Sequence, residues 1–586
     1  MWKRGCLWLS GILILGLSIL IAINIPYQNF GKSKFKISPA TTTLIGPLKA
    51  DGSLDYVAAV NQRHMDGVKS ENNAVAVIFR LTPEAFYPES AEVSRKAMRE
   101  QFATALGFEV GPSQLELEDP EALIQKRLTQ LIGDPAAYEQ TEQYLNAFRS
   151  ASKGPWKSTR FPDCAEILHE QRDVLDLIVN AATRPRYYHP FILPAGKSGN
   201  ATLLNASLPI GQRFRQCARV LLLRAMNSLG DGEPGGVESA IRDIQSARRL
   251  GWLQCQSISL TEKLIVAAIY RMVNEAEINL IDSGHLTTQQ LQEHQAFIRE
   301  HKYPIDMGER IDFGERILVL DQTQALLIDP VQFVQQQNQN PPLAFQENLI
   351  RGLVRSADTN TTLRVINQWF DRYTAAARQP TIQQSLQAFE EIEDQLSRFD
   401  SFNNLQSSLL NLISGPKSRG KFIGNLLAAM LMPAGAQLVR ADFDLSTQDQ
   451  LNEIAFAISS YRSKYHTHPA KLTTLVPEFL AAVKLGPSGG EEIQYRFNES
   501  GFMVYSIGSD GIDNGGRLSS ELNNPREYDI RISVGLLPTV ENGSRKKRLI
   551  KATEDEKNYR EKLKKTDTKS RQKNLDTNRS KSKKTS

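Results

Sequence analysis

The sequence predicts a mainly α-helical protein with an N-terminal transmembrane helix, a helical-bundle body, a small C-terminal α+β module and a disordered basic tail. Three observations predict this arrangement. First, Cys6–Ile25 contains no charged residue. Second, apolar residues in Arg213–Ser283 form three successive stripes with helical spacing. Third, the chain after Asp449 changes to short segments of alternating polarity separated by turns. Apolar periods of about 3.6 and 2 residues distinguish amphipathic helices from strands.

Cys6–Ile25 has the length of a membrane-spanning helix. At about 1.5 Å per residue, a helix of this length spans roughly 30 Å, the thickness of the hydrocarbon core. The following sequence, PYQNFGKSKF, contains no Ala-x-Ala cleavage site, so we expect the segment to be retained rather than removed as a signal peptide. Lys3 and Arg4 precede the helix, and a short basic N-terminus favours the cytoplasmic side. Most of the chain is then expected outside the cytoplasm.

Charge is distributed unevenly along the 586 residues. The whole chain has a net charge of +5, with 70 Lys and Arg against 65 Asp and Glu. Arg545–Ser586 alone carries 17 basic and 6 acidic residues, a net of +11, which leaves −6 for the rest. This tail has too few apolar residues to fold by itself. The four cysteines form no CxxC pair, so we expect buried free thiols rather than a zinc site or a disulfide framework.

Shifts in composition divide the chain into six segments. The expected order is a membrane anchor (1–30), a linker (31–53), an N-terminal helical domain (54–210), a helical-bundle domain (211–445), the α+β module (446–540) and the disordered basic tail (541–586). A polar connector, QQQNQNPP, interrupts the bundle at Gln335–Pro342.

The strongest helical signal lies in Arg213–Ser283. Its first stripe ends at Gly230 and its second at Gly251; the third comprises Leu260, Leu264, Ala267, Ala268 and Val273. The first two helices, joined by an LGDG turn, resemble a single tetratricopeptide-type hairpin. A repeat array is not expected because no second copy follows at a fixed period.

Weaker patterns predict the remaining elements. Two helices flank Gly67, and Phe502–Ile507 is a strand with both faces covered. Further helices are predicted at Met98–Leu106, Ala165–Ala182, Phe313–Leu327, Thr362–Ala377, Ile382–Gln395 and Leu451–Tyr465.

HExxH does not occur in the sequence. GxGxxG occurs once, as GDGEPG at Gly230–Gly235, and GxSxG occurs once, as GPSGG at Gly486–Gly490. The first follows a predicted helix and the second precedes a predicted strand, so neither has the strand–turn–helix context that its chemistry requires. Gly415–Phe422 has the GxxxxGK spacing of a phosphate-binding loop, but Phe422 stands where a Mg²⁺-binding Ser or Thr is needed, so a basic loop between two helices is preferred. His294 and His301 are seven residues apart and lack a third ligand, so we expect them on a solvated helix face.

The C-terminal module resembles the globular part of type II secretion pseudopilins. The matching residues are Tyr461-Arg462, Pro469, Leu472, Leu475, Pro477, Tyr495, the signature YSIGSDG at Tyr505–Gly511, and Asp529-Ile530. The resemblance implies a calcium site at the loop Ser509–Gly516, with Asp510, Asp513 and Asp529 as ligands. Carboxylates and backbone carbonyls on a flexible turn are the oxygen donors that Ca²⁺ takes. The alternative is a glycine-rich turn whose Asp and Asn side chains bond their own backbone.

A second resemblance covers almost the whole extramembranous chain. The motifs DYVAAVN, ENNA, RPRYYHP, LLLRAMNSLGDGE, ARRLG, GERILVLD and INQWFDR are similar as a set to large, uncharacterised, membrane-anchored bacterial proteins of planctomycete-type cells. The resemblance implies a single-pass protein of the bacterial inner membrane with its bulk outside the cytoplasm. It implies no activity.

These observations lead to one main functional hypothesis and two alternatives. We expect a membrane-anchored envelope scaffold or protein-interaction protein without catalytic activity, with the membrane and other envelope proteins as partners. The first alternative is a membrane-anchored hydrolase whose site is assembled from dispersed residues. The second is a binder of anionic polymers or surfaces that acts through the basic tail; nucleic acid is not the expected partner.

Overall fold

The computed structural model describes residues 35–82, 92–108, 116–132, 142, 144–149, 152–193, 201–206, 208–330, 351–400, 415–432, 434–483, 486, 490–518 and 528–535. The predicted transmembrane helix Cys6–Ile25, the connector Gln335–Pro342 and the basic tail lie outside these residues.

The protein is mainly helical with one small sheet near its C-terminus, as predicted. The α-helices, numbered here in chain order, are α1 Tyr56–Met65, α2 Ala74–Arg80, α3 Glu92–Ala105, α4 Pro120–Ile132, α5 Pro162–Glu170, α6 Arg172–Ala182, α7 Pro209–Asp231, α8 Gly236–Gln254, α9 Leu260–Asp282, α10 Thr288–Glu300, α11 Arg316–Ile328, α12 Thr359–Ala377, α13 Ile382–Asp400, α14 Pro416–Leu431 and α15 Gly435–Tyr465. A short helix, Met307–Glu309, and a π-helix, Arg310–Glu315, lead into α11.

The three predicted helices of Arg213–Ser283 are α7, α8 and α9, and they pack against one another. Gly232 caps α7 in the left-handed region, at φ 67°, which allows the chain to reverse into α8. The expected end of the second helix at Gly251 is wrong, because α8 continues to Gln254. Gly251 is a packing residue: a Cβ there would lie 3.0 Å from the ring of Tyr270 on α9.

The sheet has three antiparallel strands in the order β1 (Gln494–Phe497), β2 (Phe502–Ser506) and β3 (Ile530–Val534). The central strand β2 pairs with both neighbours, and Val504 lies opposite Tyr495 on one side and Ile532 on the other. Phe502, Val504, Tyr505 and Ser506 of this strand are all buried. The prediction of a strand covered on both faces is therefore confirmed.

Helix α15 joins the helical body to the sheet. It begins at Gly435, well before the Leu451 expected from the apolar pattern, and it crosses the predicted segment boundary at residues 445 and 446. It packs against α9, α10 and α13 on the body and against β2 and β3 of the module. Buried apolar residues form a continuous cluster from Leu54 to Val534, so module and body share a core.

Among the described residues, one stretch, Pro416–Tyr465, which comprises α14 and α15, is apolar and long enough to cross a membrane. Its most apolar 18-residue window has a mean hydropathy of 1.6, and 35% of that window is buried. A buried core helix meets the same criterion. This stretch was not predicted as a membrane segment from the sequence.

Candidate functional site

The predicted ligand loop, Ser509–Gly516, connects β2 towards β3 and is called here the C-terminal loop. Gly511, Gly515 and Gly516 have positive φ angles of 74°, 72° and 80°, a conformation that side chains with a Cβ rarely adopt. A Cβ on Gly508, just before the loop, would lie 1.8 Å from the Tyr528 carbonyl oxygen. The glycine-rich sequence is therefore required by this tight path of the backbone.

The side chain of Asp529 is fully buried and binds the backbone of the C-terminal loop. Its Oδ2 accepts hydrogen bonds from the backbone N–H groups of Asn514 (2.9 Å) and Gly516 (2.8 Å). Its Oδ1 is buried and has no partner among the described residues. Burial raises the pKa of Asp529, and the backbone N–H groups of Gly516, Asn514 and Gly508 partly offset this effect, while the nearby charge of Asp513 adds to it.

Asp510 and Asp513 make local turn contacts. Asp510 Oδ1 accepts from the Ile512 N–H at 3.2 Å, and Asp513 Oδ1 accepts from the Gly515 N–H at 2.8 Å. The Oδ2 of Asp510 is also buried without a partner within the described part of the chain. Across the described residues, no group of three or more His, Cys, Asp or Glu side chains is arranged to hold a metal ion. The three aspartates thus share one loop but do not converge as a ready ligand set.

A second candidate site, the Arg248 cluster, lies between the body and α15. It comprises Arg248, Asn274, Glu277, His294, Asp449 and Asn452. Arg248 is fully buried; its Nε and Nη2 donate to the two carboxylate oxygens of Glu277 at 2.8 and 2.7 Å. Its Nη1 donates to Asp449 Oδ1 at 2.8 Å, across a sequence separation of 201 residues. One guanidinium therefore connects α8, α9 and α15.

The remaining members complete the hydrogen bonding of Glu277. His294 Nε2 lies 3.2 Å from Glu277 Oε1, and Asn452 Nδ2 donates to Oε2 at 2.8 Å. Burial alone would raise the pKa of Glu277, but Arg248 and His294 outweigh it and hold that pKa at about 2. Burial alone would lower the pKa of Arg248, but the carboxylates of Asp449 and Glu277 outweigh it and raise that pKa above the ordinary value. The charged forms of both groups are thus stabilised inside the protein.

A separate buried ionic group, the Lys263 cluster, comprises Lys263, Tyr303, Asp306 and Asp442. Lys263 Nζ lies 2.8 Å from Asp306 Oδ1 and 3.1 Å from Asp442 Oδ1. The Tyr303 hydroxyl donates to Asp442 Oδ1 at 2.5 Å. Asp442 and Asp449 are two helical turns apart on α15, so the same face of this helix supplies a carboxylate to each cluster.

Another face of α15 contacts the module. Arg440 Nη1 donates to Ser509 Oγ at 3.1 Å, at the start of the C-terminal loop. The Tyr528 hydroxyl, next to Asp529 in sequence, donates to Asp444 Oδ2. Helix α15 therefore contacts the body through Asp442 and Asp449. It contacts the loop region through Arg440 and Asp444.

The structure contradicts the expected solvated position of His294 and His301, since both are buried. His294 stacks on Phe456 of α15, with ring centroids 4.8 Å apart, and contacts Glu277. The ring of His301 stacks on Phe297 with ring centroids 4.2 Å apart. Their spacing did predict a shared helix face, but that face packs against α15 and the body.

The segment Gly415–Phe422 is not the expected basic loop. Helix α14 begins at Pro416, and Gly420 lies inside it, where a Cβ would be 2.5 Å from the Asp358 carbonyl oxygen. The glycine is explained by close packing against the start of α12 rather than by phosphate binding.

Cavities of 280 to 300 Å³ occur at three places in the described part of the protein. The most polar of them is lined by Arg63, His64, Asp66, Val68, Arg186, Tyr187 and Gln256. Burial and the neighbouring Arg63 lower the pKa of His64 to about 4, so its imidazole is neutral at pH 7. The Tyr187 hydroxyl is already bonded to Glu262, so the pocket offers no free activated nucleophile at this tyrosine.

Comparison with known proteins adds no name to these sites. No protein-family model, curated protein or solved structure matches this chain.

Proposed function

We propose that the protein is a membrane-anchored envelope scaffold in which the helical body presents the C-terminal module to other envelope proteins. The observation that carries the proposal is the double role of α15. Its Asp449 is buried against Arg248 in the body, while its Arg440 bonds the C-terminal loop of the module. A module held this firmly is displayed in one orientation, which favours recognition by a partner because less ordering is needed on binding.

Exposed apolar residues of the module give the proposed contact surface. Phe497 is 46% exposed and Ile512 is 53% exposed, one at the end of β1 and the other in the C-terminal loop. Large aromatic and aliphatic side chains are common anchors of protein interfaces. Met65, 48% exposed at the end of α1 on the body, provides a matched control position.

The test is site-specific photo-crosslinking in native membranes. A photoreactive amino acid is placed in turn at Phe497, Ile512 and Met65 of the full chain. We expect an adduct of the same discrete mass from the two module positions and not from Met65. Absence of a common adduct, or the same adduct from Met65, would contradict the scaffold proposal and favour the hydrolase alternative.

The membrane anchor is part of the same proposal. The uncharged run Cys6–Ile25 supports a single-pass protein of the bacterial inner membrane. We expect the full chain to stay in the membrane fraction after carbonate washing. A mature chain that begins near Pro26 and is soluble would contradict the anchor.

We also propose that the C-terminal loop binds Ca²⁺, as the pseudopilin resemblance implies. The specific support is the pair of buried carboxylate oxygens without a partner in the described structure, Asp510 Oδ2 and Asp529 Oδ1. Desolvated anionic oxygens are costly, and a hard cation would compensate them. Binding requires these side chains and Asp513 to converge further than they do here.

The calcium proposal is tested by melting the full chain with Ca²⁺, with Mg²⁺ and with chelator. The full chain is needed because α15 is packed into the body. A ligand that binds only the folded protein stabilises it by about 2.7 kcal/mol at a hundredfold excess over Kd. We expect Ca²⁺ to raise the melting temperature of the wild type and of the control Asp173→Ala, but not of Asp510→Ala. An equal response in all three proteins would refute the site.

A further inference from the structure

An apolar cavity of about 300 Å³ lies beside the π-helix and is called here the Glu315 cavity. The π-helix and α11 form one wall, and the start of α9 forms a second. A third is formed by described residues that lie between α6 and α7, namely Phe191, Leu203, Leu204, Ala206 and Leu208. The main apolar lining residues of the cavity are Phe191, Leu203, Leu208, Ile258, Ile265 and Leu318. A volume near 300 Å³ is at the lower end of the range for small-molecule sites.

The π-helix explains why a carboxyl group faces this apolar space. Its extra residue per turn changes the direction of the side chains that follow, and such turns are frequent at functional sites. Gly314 allows the close approach, because a Cβ there would lie 2.3 Å from the Ile258 carbonyl oxygen. The next residue, Glu315, lines the cavity, and its carboxyl group accepts a hydrogen bond from the Leu260 N–H at the start of α9.

Few of the residues that line the cavity are polar, and the charge among them is negative. Gln212, Ser259 and Thr261 are neutral, and Glu315 is the one ionisable side chain among the described residues that line the cavity. An apolar chamber with a single acidic group complements a ligand that has an apolar body and one positive end. A ligand with a carboxylate head would instead place two negative charges together.

We propose that the Glu315 cavity binds a small cationic amphiphile, an alkyl chain whose primary ammonium group pairs with the Glu315 carboxylate. The cavity volume lies at the lower end of the range for small-molecule sites, so a short alkyl chain of about six carbons with its ammonium head suits this size. The cavity belongs to the body and is independent of the C-terminal loop and of the scaffold proposal.

The electrostatics of the Glu315 cavity agree with this ligand. Burial raises the pKa of Glu315 to about 7, and the Leu260 N–H only partly offsets the effect. A carboxylate without a cation is therefore disfavoured there. A nearby ammonium group favours the ionised carboxylate and removes this penalty.

The first experiment measures stabilisation. The full chain in lipid nanodiscs, free of detergent that could fill the cavity, is melted with hexylammonium, hexanoate or methylammonium at equal concentration. Hexylammonium is expected to raise the melting temperature by several degrees in the wild type and in Glu309→Gln, an exposed position in the adjoining short helix. The Glu315→Gln variant should lose this response. Equal stabilisation by hexanoate, or an unchanged response in Glu315→Gln, overturns the proposal.

The second experiment locates the amine. A water-soluble carbodiimide activates a carboxyl group as an O-acylisourea; the amine nitrogen then forms an amide with the carbonyl carbon, and the urea leaves. Peptide mass spectrometry is expected to show coupling of hexylamine to Glu315 at least about tenfold faster than methylamine, because burial of methylene groups favours the longer chain. Exposed Glu309 should couple both amines at similar rates. The same ratio at Glu309 and Glu315 overturns the proposal.

Discussion

Glu277 in the Arg248 cluster and Asp529 in the C-terminal loop are both buried carboxylates, but their pKa values are shifted in opposite directions. In the cluster, Glu277 receives two hydrogen bonds from Arg248, and its pKa is lowered to about 2. In the loop, Asp529 receives only backbone N–H groups on one oxygen, and burial raises its pKa. The cluster contains its own cation, whereas no Lys or Arg hydrogen bond to Asp529 is found among the described residues.

This difference separates a structural site from a candidate ligand site. A buried ion pair contributes little net stability compared with apolar residues of the same shape, because desolvation cancels much of the attraction. What the Arg248 cluster supplies is a fixed geometry for α15. The loop, in contrast, contains carboxylate oxygens that a ligand could still stabilise.

The largest effect is expected from Arg248→Met. The substitution removes the cation and leaves Glu277 and Asp449 buried without it, so the free energy of unfolding should fall by about 3–5 kcal/mol. Urea denaturation at pH 7 measures the change. Arg242→Met is the matched control on the same helix; its side chain is 53% exposed and its ion pairs are 3.8 and 3.9 Å long. The control should change stability by less than about 1 kcal/mol. Similar losses in both variants would contradict a structural role specific to Arg248.

The next effect concerns acid stability. Because the folded pKa of Glu277 is lowered from 4.5 to about 2, its ionised form contributes stability above pH 4.5 that is lost as the pH falls towards 2. Glu277→Gln should therefore reduce the free energy of unfolding by about 3 kcal/mol at pH 7, at roughly 1.4 kcal/mol per pKa unit, and by much less near pH 2. Asp529 has a raised pKa, so its ionisation costs stability and that cost is relieved on acidification. A Glu277→Gln difference that does not shrink between pH 4.5 and 2 would show that the ion pair is not its source.

A smaller effect is expected in the loop itself. Asp529→Ala removes the acceptor of two backbone N–H groups and should cost about 1–3 kcal/mol. Asp529→Asn keeps the oxygen that accepts these hydrogen bonds and replaces the other, partnerless oxygen with an NH₂ group. In the absence of metal, it should therefore destabilise the protein less than Asp529→Ala. Thermal unfolding in chelator compares the two variants. A larger loss in Asp529→Asn than in Asp529→Ala would mean that the negative charge itself stabilises the loop.

The smallest effect is expected from Arg440→Ala, which removes a single partly buried hydrogen bond to Ser509. Global stability should change by about 1 kcal/mol or less. Backbone hydrogen exchange should nevertheless increase in the C-terminal loop while that of α8 stays unchanged. Equal increases in both places would indicate that α15 itself has loosened.

Much of the fold follows from apolar periodicity, because long amphipathic helices repeat their pattern many times. The α7–α9 region and the covered strand β2 were predicted in this way. The predictions from local sequence patterns were wrong where tertiary packing determined the structure instead. Gly251 suggests a helix end, yet it allows Tyr270 to approach α8. Leu264 belonged to the predicted apolar stripe but is 55% exposed, while its neighbour Lys263 is buried.

The candidate sites were predictable only in part. The C-terminal loop could be found from its glycines and aspartates, since turn chemistry is local. The Arg248 cluster could not, because its partners are 29 and 201 residues away in the sequence. One signal was present: Arg248 follows Ala247 within the apolar stripe of its helix, where a solvated arginine is not expected. Its carboxylate partners required the tertiary structure.

The late position of α15 has a consequence for synthesis of the protein. Arg248 and Glu277 leave the ribosome well before Asp449, and at about 5–20 residues per second the interval is roughly 10–40 s. During this time the nascent body contains Arg248 and Glu277 of the Arg248 cluster but neither Asp449 nor Asn452. Its interior therefore reaches the final hydrogen bonding only when the last quarter of the chain emerges. A chain that ends before Asp449 therefore lacks the α15 carboxylate that pairs with Arg248, and the hydrogen bonding of its core stays incomplete.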